Sequence, residues 1–259
     1  MHILQYFLGA FSGVLVGFTL GLVGGGGSIL AVPLMVYLVG VKNPHVAIGT
    51  SAFAVAANAA MGLLNHAKAG NVKWRCGGMY AAAGIVGALV GSTAGKAFNG
   101  QKLLFLFAIL MLLVGVFMLR GRGNAGIPGA KCDREKAPKI LGFGFITGMF
   151  SGFFGIGGGF LIVPGLIGAI GMPILEAVGT SLIAVTAFGL TTAFNYSLSG
   201  LVDWYLAFVF IAGGAAGSLV GTRIAGNLAA KRGQLTTVFA TLIFVVAAYM
   251  LWRSFPTGL

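Results

Sequence analysis

Two glycine runs, Gly24-Gly25-Gly26-Gly27-Ser28 and Gly155-Ile156-Gly157-Gly158-Gly159, are the residues of this sequence best placed to do chemistry without a charged side chain. Glycine is a poor helix former, so such a run interrupts a helix and leaves backbone N–H groups free where the next helix starts. Those amides, with the positive end of the helix dipole, attract an anion. Hydroxyls and amides stand in matching places downstream. Ser51, Asn58 and Asn65 recur every seven residues, hence on one helix face; Ser181 and Asn195 repeat the outer two, Phe188 replaces the middle one, and Thr50 and Thr180 precede the two serines. The candidate cargo contacts are therefore Gly25, Gly26, Gly27, Ser28, Thr50, Ser51, Asn58, Asn65, Gly157, Gly158, Gly159, Thr180, Ser181 and Asn195. A competing explanation makes the glycines a close-packing surface and the polar side chains interhelical hydrogen-bond glue.

Enzyme chemistry finds little support. There is no His-Glu-x-x-His motif, no paired acids and no Ser/His arrangement in the apolar segments, so no catalytic residue is expected. The glycine runs lack the strand–helix surroundings of a nucleotide-binding loop. His2, His45 and His66 have no acid or cysteine near them in sequence, so neither a metal nor a cofactor is expected. Cys76 and Cys132 are expected to remain reduced thiols without a role.

The elements that must position these residues follow from composition. Of 259 residues 58% are hydrophobic and only 8% charged, and mean hydropathy is +1.00. Apolar runs repeatedly reach the roughly 18 residues needed to cross a bilayer core of about 30 Å, so the spans are helices. The formal charge of +12 lies in short connections between them, the placement found in cytoplasmic loops, and does not indicate nucleic acid. No cleavable leader is evident after Met1 and His2, so the first apolar segment is expected to stay in the mature protein.

The two halves are copies. GLVGGGGSILAVP from Gly21 aligns with GFFGIGGGFLIVP from Gly152 at an offset of 131, which places Pro33 on Pro164; after a one-residue deletion the offset becomes 130 and pairs Gly49-Thr50-Ser51 with Gly179-Thr180-Ser181, Asn65 with Asn195 and Trp74 with Trp204. Each copy has a glycine-broken stretch (3–41 and 140–175) followed by three spans (46–66, 74–97 and 103–119; 177–199, 204–227 and 235–252). Whether the broken stretch crosses twice or dips in and returns is left open. Either way the number of crossings per copy is odd, so the second copy inserts upside down. With the linker inside, eleven basic residues fall on the cytoplasmic side and four outside, in accord with the positive-inside rule.

The expected fold is thus an all-α polytopic bundle of two inverted repeats, 1–119 and 140–259, joined by a cytoplasmic linker, 120–139, with both termini periplasmic. The expected partners are the lipid bilayer and a small anion, with no nucleic acid; a homodimer is left open. Acids are too scarce for a cation site, since only Glu176 and Asp203 lie near the spans.

The paired motifs GLVGGGGSILAVPLM and GFFGIGGGFLIVPGL, each followed by a Gly-Thr-Ser triplet and a Gly-x-Val-x-Trp step, make the sequence resemble the sulfite exporter TauE/SafE family from about Gly13 to Trp252. One departure is that the first copy reads GGGGS where the second reads GIGGG. The resemblance implies an inner-membrane carrier that moves sulfite, a sulfonate or a related organosulfur anion. Alternating access between the halves is the expected mechanism. A passive anion channel and a non-transporting subunit of a membrane complex are the alternatives.

Overall fold

The computed structural model describes residues 3–120, 132, 135–155, 159–229 and 234–254, and every regular element among them is helical. α1 (Ile3–Val23) stops at Gly24, whose φ of +65° is left-handed and costs a glycine little. The chain then doubles back through a 3₁₀ segment (Gly24–Leu30), one α turn, α2 (Ala31–Pro33), and a π turn (Leu34–Leu38). The reversal is visible in two contacts: the Thr19 hydroxyl lies 3.2 Å from the Gly27 carbonyl, and Gly40 sits beside the Gln5 side chain near the start of α1. The broken stretch is therefore a hairpin whose second leg returns to the side it left.

Three long helices follow: α3 (Pro44–Lys68), α4 (Trp74–Ala97) and α5 (Gly100–Arg120). Asn43 caps α3 by accepting the His45 amide N–H at 2.9 Å, and Pro44 fits the first turn, where its missing N–H costs nothing. The second half repeats the plan with α6 (Ala137–Phe154), α7 (Gly159–Ile170), α8 (Ile174–Ser197), α9 (Trp204–Ala229) and α10 (Gln234–Ser254). At about 1.5 Å per residue, the 12 residues of α7 are roughly 18 Å long, too short to cross a core of about 30 Å. Gly155, the counterpart of Gly24, ends α6 with a φ of +68°.

Seven segments among the described residues are long and apolar enough to cross a membrane. Phe7, Phe117, Phe208, Val245 and Trp252 point outward and are exposed, an arrangement that hydrocarbon accepts and water does not. The bundle is held by glycine contacts that exchange partners between the halves. α1 packs on α9 and α6 on α4, with Gly13, Gly17 and Gly21 against the backbone of α9 and Gly144, Gly148 and Gly152 against that of α4. Backbones approach this closely only where side chains are absent, the mode of helix association favoured in lipid.

Cys76, in the first turn of α4, and Cys132, in the linker, form a disulfide with their Cα atoms 5.6 Å apart. This corrects the expectation of two unconnected thiols. Their separation of 56 residues carries no signal; the fold brings Cys132 onto the first turn of α4.

Candidate functional site

The helices α3 and α8 run antiparallel through the centre, and the hairpin of each half closes on the helix of the other. A Cβ on Gly24 would meet the Val178 carbonyl oxygen at 2.5 Å; one on Gly155 would strike the Ile48 side chain, the matching position of α3. The two breaks also touch each other, since a Cβ on Gly159 would run into the Gly25 backbone. The joining loops are reciprocal. Thr180 Oγ1 accepts the Lys73 amide N–H and Thr50 Oγ1 accepts that of Asp203, both at 2.9 Å, so the start of α8 is fixed to the α3–α4 loop and the start of α3 to the α8–α9 loop.

The first glycine run is not an open loop. It winds as a 3₁₀ segment with Gly24, Gly25, Gly26, Gly27 and Ser28 all buried. The Gly25 N–H, expected to be free, donates to Ser181 Oγ at 3.1 Å, and Ser181 in turn donates to the Val178 carbonyl at 2.7 Å. Ser28 donates to the Gly25 carbonyl at 2.8 Å. A small hydroxyl lets a 3₁₀ turn satisfy an amide that the helix break exposes, which spares the cost of a buried unpaired donor, about 1–3 kcal/mol. Of the second run, Gly159 is at the centre; Gly157 and Gly158, with Ile156, lie outside the described residues.

The remaining candidates divide. Ser51 is buried on α3 and donates to the Ile48 carbonyl at 3.1 Å, the same turn geometry as Ser181. Asn58, two turns farther along α3, is 0% exposed, and neither its carbonyl oxygen nor its amide nitrogen has a partner in the protein. Asn65 is half-buried near the end of α3. Asn195 is used elsewhere: its Nδ2 donates to Ser92 Oγ at 2.6 Å and to Thr93 Oγ1 at 3.0 Å, and its Oδ1 accepts from Lys96 Nζ at 2.9 Å. Lys96 also donates to the Asn195 carbonyl and to Ser199, so this cation is held by neutral oxygens at the end of α8, as suits that pole of a helix dipole. The structure thus gathers Gly25, Gly26, Gly27, Ser28, Gly159 and Ser181 at the centre, sets Ser51 and Asn58 on the adjoining helix, turns Thr50 and Thr180 toward the joining loops and places Asn65 and Asn195 near the ends of α3 and α8.

Ser218 on α9 and Thr192 on α8 are also buried with unpartnered hydroxyls, and Ser218 was not singled out for the site from sequence. Ser218 lies in the motif Gly-Ser-Leu-Val-Gly-Thr-Arg, whose glycine spacing marks a packed face without saying that its serine lacks a partner. No charged side chain is among the buried residues of the central helices. The one salt bridge among the described residues, Lys73 to Glu176 at 3.3 Å, is at a loop.

One family and three relatives among known proteins resemble this chain. A family profile described as "Sulfite exporter TauE/SafE" matches residues 9–250. A "Probable membrane transporter protein" of Xylella fastidiosa (strain 9a5c) is 51% identical over 254 residues, 95% of each chain. The "Probable membrane transporter protein YunE" of Bacillus subtilis (strain 168) is 27% identical over 93% of this chain and 95% of its own. A Haemophilus influenzae protein, also described as a probable membrane transporter, is 26% identical over 92% and 95%. No solved structure matches.

Proposed function

The chain belongs to the sulfite exporter TauE/SafE family of membrane transporters, which is not a class of enzymes, and on that premise we propose that it carries a small anion, sulfite or a sulfonate, across the inner membrane by alternating access. The observation that carries this reading is the meeting of the two glycine breaks, one from each half, at one buried point. Helix ends supply about 0.3–2 kcal/mol each toward an anion. A desolvated charge costs far more, so several neutral donors must act together; Ser28, Ser51 and Ser181 would have to turn their hydroxyls from the backbone carbonyls they now meet, whereas the buried Asn58 amide is unpaired. The reciprocal loops at Thr50 and Thr180 support two inverted repeats, 1–119 and 140–259, that rock about this centre. The buried 3₁₀ segment is closed to solvent, which favours a carrier over an open channel.

The excess of basic residues on the linker side favours a cytoplasmic linker, and with it periplasmic termini. Cytosolic reductants then open the Cys76–Cys132 bridge in the cell.

The test is flux through the purified protein in liposomes, offered sulfite, methanesulfonate, sulfate and thiosulfate with and without a pH gradient. Saturable movement of sulfite or the sulfonate is expected. Movement of a cation with none of these anions moving would overturn the assignment, and no flux of any solute would favour a non-transporting subunit.

A further inference from the structure

We infer that the cargo's polar head is held on one side of the centre only, by Asn58 and Ser218, and that the ligand recognised there is a small oxyanion; this rests on the transport reading above. Asn58 is 0% exposed and Ser218 1%, and the Asn58 carboxamide and the Ser218 hydroxyl have no partner in the protein. They share one seam. A Cβ on Gly214, one turn before Ser218, would collide with the Asn58 amide; a Cβ on Gly62, one turn after Asn58, would lie 3.6 Å from Ser218 Oγ. The absence of a side chain at Gly214 thus makes room for the Asn58 amide, and Gly62 lies beside the Ser218 hydroxyl, so both unpaired groups are packed into the α3–α9 seam. The glycine breaks, by contrast, have spent the Gly25 amide on Ser181.

The duplication supplies an internal control. An offset of 130 carries Asn58 to Phe188, Gly214 to Gly84 and Ser218 to Ala88. There the Phe188 ring fills the space over Gly84, stacked on Tyr80 with ring centroids 6.5 Å apart, and the Tyr80 hydroxyl is paired with Thr147 at 2.7 Å. The scaffold therefore closes this place with apolar packing in one half and leaves it polar and unsatisfied in the other.

Asn58 offers two N–H donors and Ser218 a third, enough to meet the oxygens of a sulfite or sulfonate head. Neither is charged, so an anion is recognised without being trapped. An inner-sphere cation would need about six oxygen ligands, and Asn58 and Ser218 offer two side-chain oxygens and no carboxylate.

Purified full-length protein is assayed by thermal unfolding with sodium sulfite or methanesulfonate against sodium chloride at equal ionic strength. For the parent chain the two oxyanions are expected to raise Tm. Asn58→Leu should abolish that rise and, because an unpaired amide has gone, should unfold at a higher temperature than the parent without ligand. Ser218→Ala, the residue type found at the matching Ala88, should fold and weaken the apparent affinity by about tenfold or more. A lower ligand-free Tm for Asn58→Leu would make the amide structural and overturn the inference, as would an undiminished oxyanion response in both variants, which leaves the transport reading standing. A parent chain indifferent to both oxyanions, or stabilised by sodium alone, overturns the two together.

Discussion

Gly142 and Gly148 lie on the same helix, α6, and the same substitution at each should have opposite effects. A Cβ on Gly148 falls 2.5 Å from the Gly84 Cα and 2.7 Å from its carbonyl carbon, with the carbonyl oxygen closer still, whereas one on Gly142 meets nothing within 4 Å. Carbon atoms pack comfortably at about 3.5–4.0 Å. Gly148→Ala must therefore push α4 and α6 apart by about 1 Å, and backbone cannot rotate away as a side chain would. Overpacking of this kind costs about 1–3 kcal/mol, while the better helix propensity of alanine returns about 0.5–1 kcal/mol. The net loss is about 1–2 kcal/mol for Gly148→Ala, and Gly142→Ala should be neutral or slightly stabilising. At about 2–4 °C per kcal/mol for a chain of this size, Gly148→Ala should unfold several degrees lower and Gly142→Ala no lower than the parent, read by tryptophan fluorescence in detergent or by SDS titration. Equal shifts for the two variants would refute the claim that bare backbone contact between the halves holds the bundle.

Thr50→Val and Thr180→Val each strip the acceptor from a loop amide, Asp203 N–H and Lys73 N–H respectively, and should each lower stability by about 1 kcal/mol; because the two contacts are distant and equivalent, the double variant should lose the sum, and a loss at one site only would contradict the reciprocal geometry. Cys76 and Cys132 should react with a maleimide in acid-quenched intact cells and resist it after purification in air, where the bridge closes; a bridge already closed in the cell would put the linker on the oxidising side and reverse the proposed orientation. Lys96→Met should loosen the end of α8, seen as faster amide hydrogen exchange around Asn195 and Ser199, while exchange at the Gly24–Leu30 segment stays as it was; uniform loosening would argue against a local clamp.

Much of the architecture is written in local sequence. Trp74–Ala97 was delimited to the residue, because a tryptophan at an interface and a lysine-flanked end bound one apolar run. Gly24 and Gly155 marked the helix ends because few other residues adopt a left-handed φ cheaply. α6 begins at Ala137 rather than at 140, since Pro138 is accommodated in a first turn and the basic linker composition hides that turn.

What stayed hidden is long-range. The exchange that packs α1 on α9 and α6 on α4 depends on glycine faces 200 and 60 residues apart, and glycine spacing gives no partner. Matching Asn65 with Asn195 through the repeat suggested equal roles, yet Asn195 is occupied by Ser92, Thr93 and Lys96 because Lys96 has Gly226 as its counterpart in the other half. The run GGGGSIL reads as a loose break, but Ser181, 156 residues on from Gly25, accepts the amide that lets it wind as 3₁₀. Asn58 was visible as a polar residue on a helix face; that it lacks any partner is a property of the folded neighbourhood.

The central claim, a closed anion site reached alternately from the two sides, is tested most directly by counterflow. Liposomes containing the protein and loaded with unlabelled sulfite are diluted into a trace of labelled sulfite. A carrier exchanges one for the other, and the label should accumulate transiently above its external concentration before decaying. Label that only equilibrates, at a rate linear in concentration, would contradict alternating access and identify a passive path.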